Sequence, residues 1–370
     1  MQDHVSPGDH VGTTSASPDS GLLVVSATPF NAETRLAAQR GVATPTAAFF
    51  VRNHFAVPRI DPRAWRLAIE GAVQRPAVLT YEQLKALPSR TLLVTLECAG
   101  NGRSAMRPQV EGEPWQYGAV STAAWTGVPL RAVLLAAGLS PAVQEVVCEG
   151  ADRGQVAEHE RVAAAHGPLA FARSLPLAKA LHPDTLLAYA MNGDELPAAH
   201  GFPVRLIVPG WYGMASVKWV TRLTASTQPF MGYFQRDRYV LEPPQPGERQ
   251  ALALTNIAVR SVLVDPSDGA VLPCGDHCLR GFAWSGSAQV ARVEVSVDGG
   301  ATWEPAQFMG DPERYAWRPW EYRWRAVAPT RVTLCSRAID AAANEQPVEP
   351  VWNRLGYANN AIQTVRIVVA

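Results

Sequence analysis

The segment TLLVTLECAGNGRSAMRP, residues 91–108, sets a cysteine between an apolar run and a glycine-rich turn that carries an arginine. Leu92, Leu93, Val94 and Leu96 have the length and aliphatic content of a buried strand, and Ala99-Gly100-Asn101-Gly102 is turn chemistry that accepts positive φ. Cys98 therefore stands where a strand yields to a loop, a place from which a side chain is held rigidly and still reaches a ligand. A thiolate there can bind a metal or act as a nucleophile; taken by itself, a cysteine is more often a small buried hydrophobe. Nucleophilic chemistry needs a base, and His54, His159, His166, His182 and His200 offer themselves with no local pattern tying one of them to Cys98. No Cys or His stands at zinc-ligand spacing from Cys98, and CGDHC at 274–278 has no second ligand pair nearby, which argues against zinc at either place.

Three further segments change the weight of that cysteine: AFFVRNHFAVP (48–58), LLAYAMNGDELPAAHGFPVRLIVPGWYGMASVKW (186–219) and GFAWSGSAQVARVEVSVDGGATWEPAQF (281–308). Together with ECAGNGRS they resemble, in order and spacing, the sulfite oxidase family of molybdenum enzymes from about residue 45 to the C-terminus. The resemblance implies molybdenum held by a single molybdopterin (pyranopterin dithiolene), with Cys98 as the protein's thiolate ligand. A soft sulfur on a rigid strand end suits that role.

On the substrate side, the resemblance assigns Arg52 and Arg103 to an anion pocket, Trp115 and Tyr189 to its walls, and Arg318 as a further arginine from the C-terminal half. Arginine fits an oxyanion because its planar fork binds bidentately and keeps its charge. On the pterin side it assigns Phe50, Val51, Arg52, Asn53, His54, Asp152, His200, Arg205, Ser216, Val217 and Lys218. The implied reaction is oxidation of sulfite to sulfate by oxygen-atom transfer, with electrons leaving to an external acceptor such as a cytochrome or oxygen. The chain has no Cys-x-x-Cys-His, so no heme of its own is expected. One departure bears on substrate. The animal enzymes usually carry two arginines after the motif's asparagine, whereas here Gly102 takes the first place, which weakens the positive field and keeps nitrate reduction on the same scaffold as the enzymatic alternative. A non-catalytic binding module is the alternative from another class.

The elements that must position these residues fall into two textures. Between about 41 and 245, WRLAIEGAV alternates like a strand, TYEQLKALP opens like a capped helix, and GVPLRAVLLAAGLS is a helix ending at Gly138, so a mixed α+β domain is expected. LEPPQPGERQ reads as a linker, with the boundary near 245. From 246 to 370 strands recur at intervals of about ten residues with Asp-Gly turns, the texture of an all-β immunoglobulin-like sandwich, which in the family mediates homodimerisation. Residues 1–40 read as a disordered or extended lead-in.

At 370 residues the chain has room for two cores, and equal totals of 33 basic and 33 acidic residues give no bulk charge for nucleic acid. Five cysteines and no evident leader point to a reducing, cytoplasmic setting, or a periplasmic one if a leader was removed. The longest apolar stretches fall short of the roughly 20 residues that cross a bilayer, so no membrane partner is expected.

Overall fold

The structure is a computed structural model that describes residues 21–156, 168–242 and 251–370. Alternation along Arg66–Gly71 turns Leu67 and Ile69 inward, and the segment is a strand. Thr80 caps the short helix Tyr81–Lys85: its hydroxyl accepts from the Gln83 N–H at 3.2 Å while the Gln83 side chain accepts from the Thr80 N–H at 2.8 Å. Leu130, Val133, Leu134 and Ala137 form one buried face of the helix Leu130–Ala137, which ends at Gly138 with φ 71°. These helices are short. Among the described residues a third α-helix, Leu177–Ala180, is a single turn, so both expected helices are present but the first domain is mostly sheet with few helices rather than the mixed α+β domain expected.

Two five-stranded sheets carry the first domain. In one, Arg90–Glu97 pairs antiparallel with Val120–Pro129, which pairs with Leu186–Met191, which takes Arg205–Ile207 on its other edge. In the other the order is Ala77–Thr80, Arg66–Gly71, Val220–Ser226, Glu145–Gly154, Leu169–Pro176, with one parallel contact between Arg66–Gly71 and Val220–Ser226. Cys98 and Arg205 belong to the first sheet and its exit loop; Asp152 lies on the second, and Lys218 leads into it. The functional residues thus gather where the two sheets approach.

The segment 22–34, expected as a loose lead-in, is a hairpin of Leu22–Ala27 and Phe30–Thr34. It is docked, not free: the buried Glu33 carboxylate accepts from the Gln116 and Gly118 N–H groups at 3.0 and 3.1 Å. Residues 1–20 and the expected boundary near 245 lie outside the described residues.

Beyond 251 the described residues contain no helix. A four-stranded sheet built on Arg260–Asp265, Gly275–Trp284 and Arg318–Ala326 shares one apolar core with a five-stranded sheet built on Val290–Ser296, Thr330–Asp340 and Gln363–Val369; Leu263, Leu279 and Ala283 from the first meet Val293, Leu334 and Ile367 from the second. The two domains are stitched through backbone. Ile257 N–H donates to Gly210 O and Gly286 N–H to Ile257 O, both at 2.9 Å, and a Cβ on Gly286 would fall 1.9 Å from Gly210 O. Gly286→Ala is therefore expected to destabilise the protein by about 1–3 kcal/mol by overfilling this seam, read as a lower midpoint in urea unfolding followed by tryptophan fluorescence.

Candidate active site

The strand Arg90–Glu97 delivers Cys98 to a pocket of about 660 Å³ of empty space, solvent at its mouth included. The Cys98 N–H donates to Ala119 O at 2.8 Å and its own carbonyl accepts from the Asn101 N–H at 2.9 Å, so the turn is pinned on both sides of the sulfur. Burial pushes the Cys98 thiol up, and Arg52 and Arg103 pull it back down. Among the described residues no three His, Cys, Asp or Glu side chains gather to hold a metal. CGDHC at 274–278 is no exception: His277 bonds Pro273 O and the Cys278 thiol faces Glu321. A metal at Cys98 therefore needs most of its ligands from a bound cofactor.

The pocket wall is short of negative charge. Arg52, Arg205 and Lys218 line it against the single carboxylate of Asp152. Arg205 is buried; its Nη1 and Nη2 donate to His200 O and Ser216 O at 3.0 and 3.1 Å, while its Nε has no partner. Lys218 donates to Ala199 O at 2.8 Å and to Asn53 Oδ1. Burial holds Lys218 well below the usual lysine range, with Arg205 adding to the effect, and brings Arg205 down to about 9. Burial likewise lifts Asp152 to about 6 against the pull of Lys218, and one of its carboxylate oxygens is buried without a partner. His200 falls to about 3 and His54 goes well below its usual range through burial and neighbouring cations, so both rings are neutral. One orphaned donor and one orphaned acceptor around a cation-rich cavity suit a ligand with a phosphate and a polar ring edge. The residues present fit a pyranopterin.

Of the residues expected here, Phe50, Arg52, Asn53, His54, Cys98, Asp152, His200, Arg205, Ser216 and Lys218 line one cavity. Val51 and Val217 are buried just behind them. Arg103 stands beyond Cys98, its guanidinium tied to Glu113 O at 2.8 Å and to Leu355 O of the second domain at 3.1 Å, 5.2 Å from the Tyr357 ring. Trp115 is fully buried in the apolar cluster that includes Cys98 and Phe50, its indole N–H unpartnered.

Two more of the expected residues, Tyr189 and Arg318, are not among those lining the pocket. Tyr189 sits half-buried on Leu186–Met191 at the edge of the first domain's core and does not line the pocket. Arg318 belongs to the sandwich, 3.6 Å above the Phe308 ring, and is likewise outside the pocket. The tyrosine that does line it is Tyr239, whose hydroxyl bonds His54 Nε2 at 2.6 Å and whose ring stacks on Tyr357 at 5.1 Å. Tyr239 follows a π-helical turn, Phe234–Arg238, just ahead of the proline-rich segment. The only sequence signal is the density of aromatic and arginine residues in YFQRDRY.

The cavity has the donors and acceptor that a pyranopterin needs, and the sequence comparisons place the chain among molybdopterin-binding oxidoreductases. Residues 54–234 match the family model described as "Oxidoreductase molybdopterin binding domain", and 251–370 match "Mo-co oxidoreductase dimerisation domain". Sulfite oxidase from Gallus gallus is 41% identical over 364 residues, covering 92% of this chain and 76% of that protein; mitochondrial sulfite oxidase from Mus musculus is 36% identical, covering 94% and 66%. NADH nitrate reductase from Petunia hybrida is 34% identical, covering 90% of this chain and 39% of its own length. The crystal structure of the sulfane dehydrogenase SoxCD from Paracoccus pantotrophus superposes with a TM-score of 0.80 at 30% identity, covering 97% of this chain and 87% of that one. The chain belongs to the sulfite oxidase family of molybdopterin-dependent oxidoreductases.

The raised Asp152 carboxyl carries a pH signature. A carboxyl whose pKa is higher folded than unfolded contributes stability that is present below the unfolded value near 4 and lost as pH rises through about 6. Asp152→Asn is expected to flatten this loss of stability between about pH 4 and 6, read in urea titrations of the cofactor-free protein at stepped pH.

Proposed function

We propose that this protein oxidises sulfite to sulfate and passes the electrons to a separate acceptor, a cytochrome or oxygen. The observation that carries the reading is the thiol of Cys98, the one cysteine among the described residues lining a cavity whose wall holds Arg52, Arg205, Lys218 and a single carboxylate. The sulfite oxidases at 36–41% identity support it. A bound molybdopterin supplies two-electron oxygen-atom transfer. The chain's own residues do the rest. Cys98 presents a soft, oriented sulfur to the metal; Arg205 and Lys218 meet the cofactor's phosphate, and Asp152 accepts from its ring N–H groups. Arg52, with Arg103 behind it, draws the substrate anion toward Cys98. Tyr239 lines the cavity with its phenol oxygen against His54 Nε2; with the His54 Nε2–H donating to that oxygen, the hydroxyl proton is free to donate to an oxyanion whose charge is redistributing. The tight burial of Phe50, Trp115 and Tyr357 keeps water from the reacting anion. The second domain is immunoglobulin-like in its two-sheet build and serves homodimerisation, a reading supported by the dimerisation-domain match.

A second substrate reading rests on the SoxCD likeness, which spans 97% of this chain: oxidation of sulfane sulfur. Molybdenum-loaded protein is assayed with sulfite and ferricyanide, with thiosulfate and ferricyanide, and with nitrate and reduced viologen. Sulfite turnover is expected to dominate; its absence from loaded protein, with turnover in another arm, overturns the first choice. Tyr239→Phe is expected to lower kcat/KM by about 10- to 100-fold through the lost donor, whereas Tyr189→Phe stays within about twofold, as remote substitutions do.

A further inference from the structure

The glycine that takes an arginine's place at 102 is not a vacancy. A Cβ at that position would fall 2.6 Å from Arg260 Nη2 and 3.3 Å from Asn359 Nδ2, two side chains of the second domain. Arg260 is 1% exposed. Its Nη1 donates to Glu97 Oε1 at 3.0 Å and to Asn101 O at 3.2 Å. Glu97 immediately precedes Cys98, and its other oxygen, Oε2, accepts from Trp284 Nε1 at 2.8 Å, again from the second domain. Asn101 Nδ2 donates to Glu97 Oε1 at 2.9 Å, and Asn359 Nδ2 donates to Gly102 O at 2.8 Å. The turn that aims Cys98 is therefore clasped by three side chains from the other domain.

We propose that Arg260 is a positioning residue for Cys98, and that Gly102 and Arg260 are a complementary pair: one guanidinium fills the space beside the turn, and here it comes from the second domain instead of from position 102. The positive charge that the sequence lacks after Asn101 is thus restored in nearly the same volume, paired to Glu97. Three features support this. The left-handed backbone at 102, φ 82°, and the close guanidinium leave room for glycine only. The Glu97–Arg260 pair is almost fully buried on both sides, so removing either partner strands a charge. Arg260 Nε and Nη2 have no hydrogen-bond partner, so the guanidinium is placed by packing and by what Nη1 meets, Glu97 and Asn101 O.

The proposal rests on the reading of Cys98 as the metal ligand, and the test separates the two. Wild type, Gly102→Arg, Arg260→Gln and Gly102→Arg/Arg260→Gln are compared by the thermal midpoint of the cofactor-free protein, by molybdenum retained after gel filtration, and by the Mo(V) electron spin resonance g-values. Any side chain at 102 is strained equally in the single and the double variant, so the cycle cancels that strain. Each single variant is expected to retain about tenfold less molybdenum than wild type, and the double to recover most of it, with a midpoint above that of Gly102→Arg. Arg260→Gln shifts the g-values, which follow the orientation of the Cys98 sulfur; a residue that only stabilises the fold would reduce the loaded fraction and leave the spectrum alone. Additive losses in the double variant, or an unchanged spectrum in Arg260→Gln, overturn the proposal while wild-type loading stands. Wild type that binds no molybdenum overturns the ligand reading itself.

Discussion

Buried positive charge without matching negative charge is the constraint on which this structure turns. Arg52, Arg205 and Lys218 face one carboxylate in a cavity where both histidines are neutral, and burial holds Lys218 and Arg205 below their usual ranges. An arrangement of that kind is poor for folding by itself, since each desolvated cation costs more than its partial hydrogen bonds return. It makes sense when an anionic group completes it. The site is then stabilised by what it binds, and stability becomes linked to cofactor loading.

The rest of the architecture answers the need to aim one sulfur into that cavity. Two sheets of the first domain bring Cys98, Arg205, Asp152 and Lys218 together from segments far apart in sequence. The second domain does not line the cavity, yet it reaches the turn behind it through Arg260, Trp284 and Asn359, and reaches Arg103 through Leu355 O. Domain packing and metal geometry are therefore one problem: the seam at Gly210, Ile257 and Gly286 sets the distance from which those side chains clasp the loop.

What was legible in the sequence was local. Strand alternation at Arg66–Gly71, the Thr80 capping box, the helix stop at Gly138 and the strand-to-turn step at Cys98 all depend on neighbours within a few residues, and the structure shows each. The cofactor wall was legible because its residues lie in compact motifs. The misses are long-range. Tyr239 enters the site by a hydrogen bond to a histidine 185 positions away, and Arg260 by an ion pair spanning 163, so the first is marked locally only by the aromatic and arginine density of YFQRDRY and the second by nothing in its own segment. Tyr189 and Arg318 sit in strands, the first packed against the core of the first domain and the second over the Phe308 ring. Both expected helices are present, but they are short, so sheet dominates the first domain.

The central claim is that Cys98 is a ligand to molybdenum. Molybdenum K-edge X-ray absorption on the loaded wild type and on Cys98→Ser tests it most directly. The account predicts one fewer sulfur scatterer in the variant, at otherwise similar geometry and with the fold intact by circular dichroism. An unchanged sulfur shell in Cys98→Ser would contradict it.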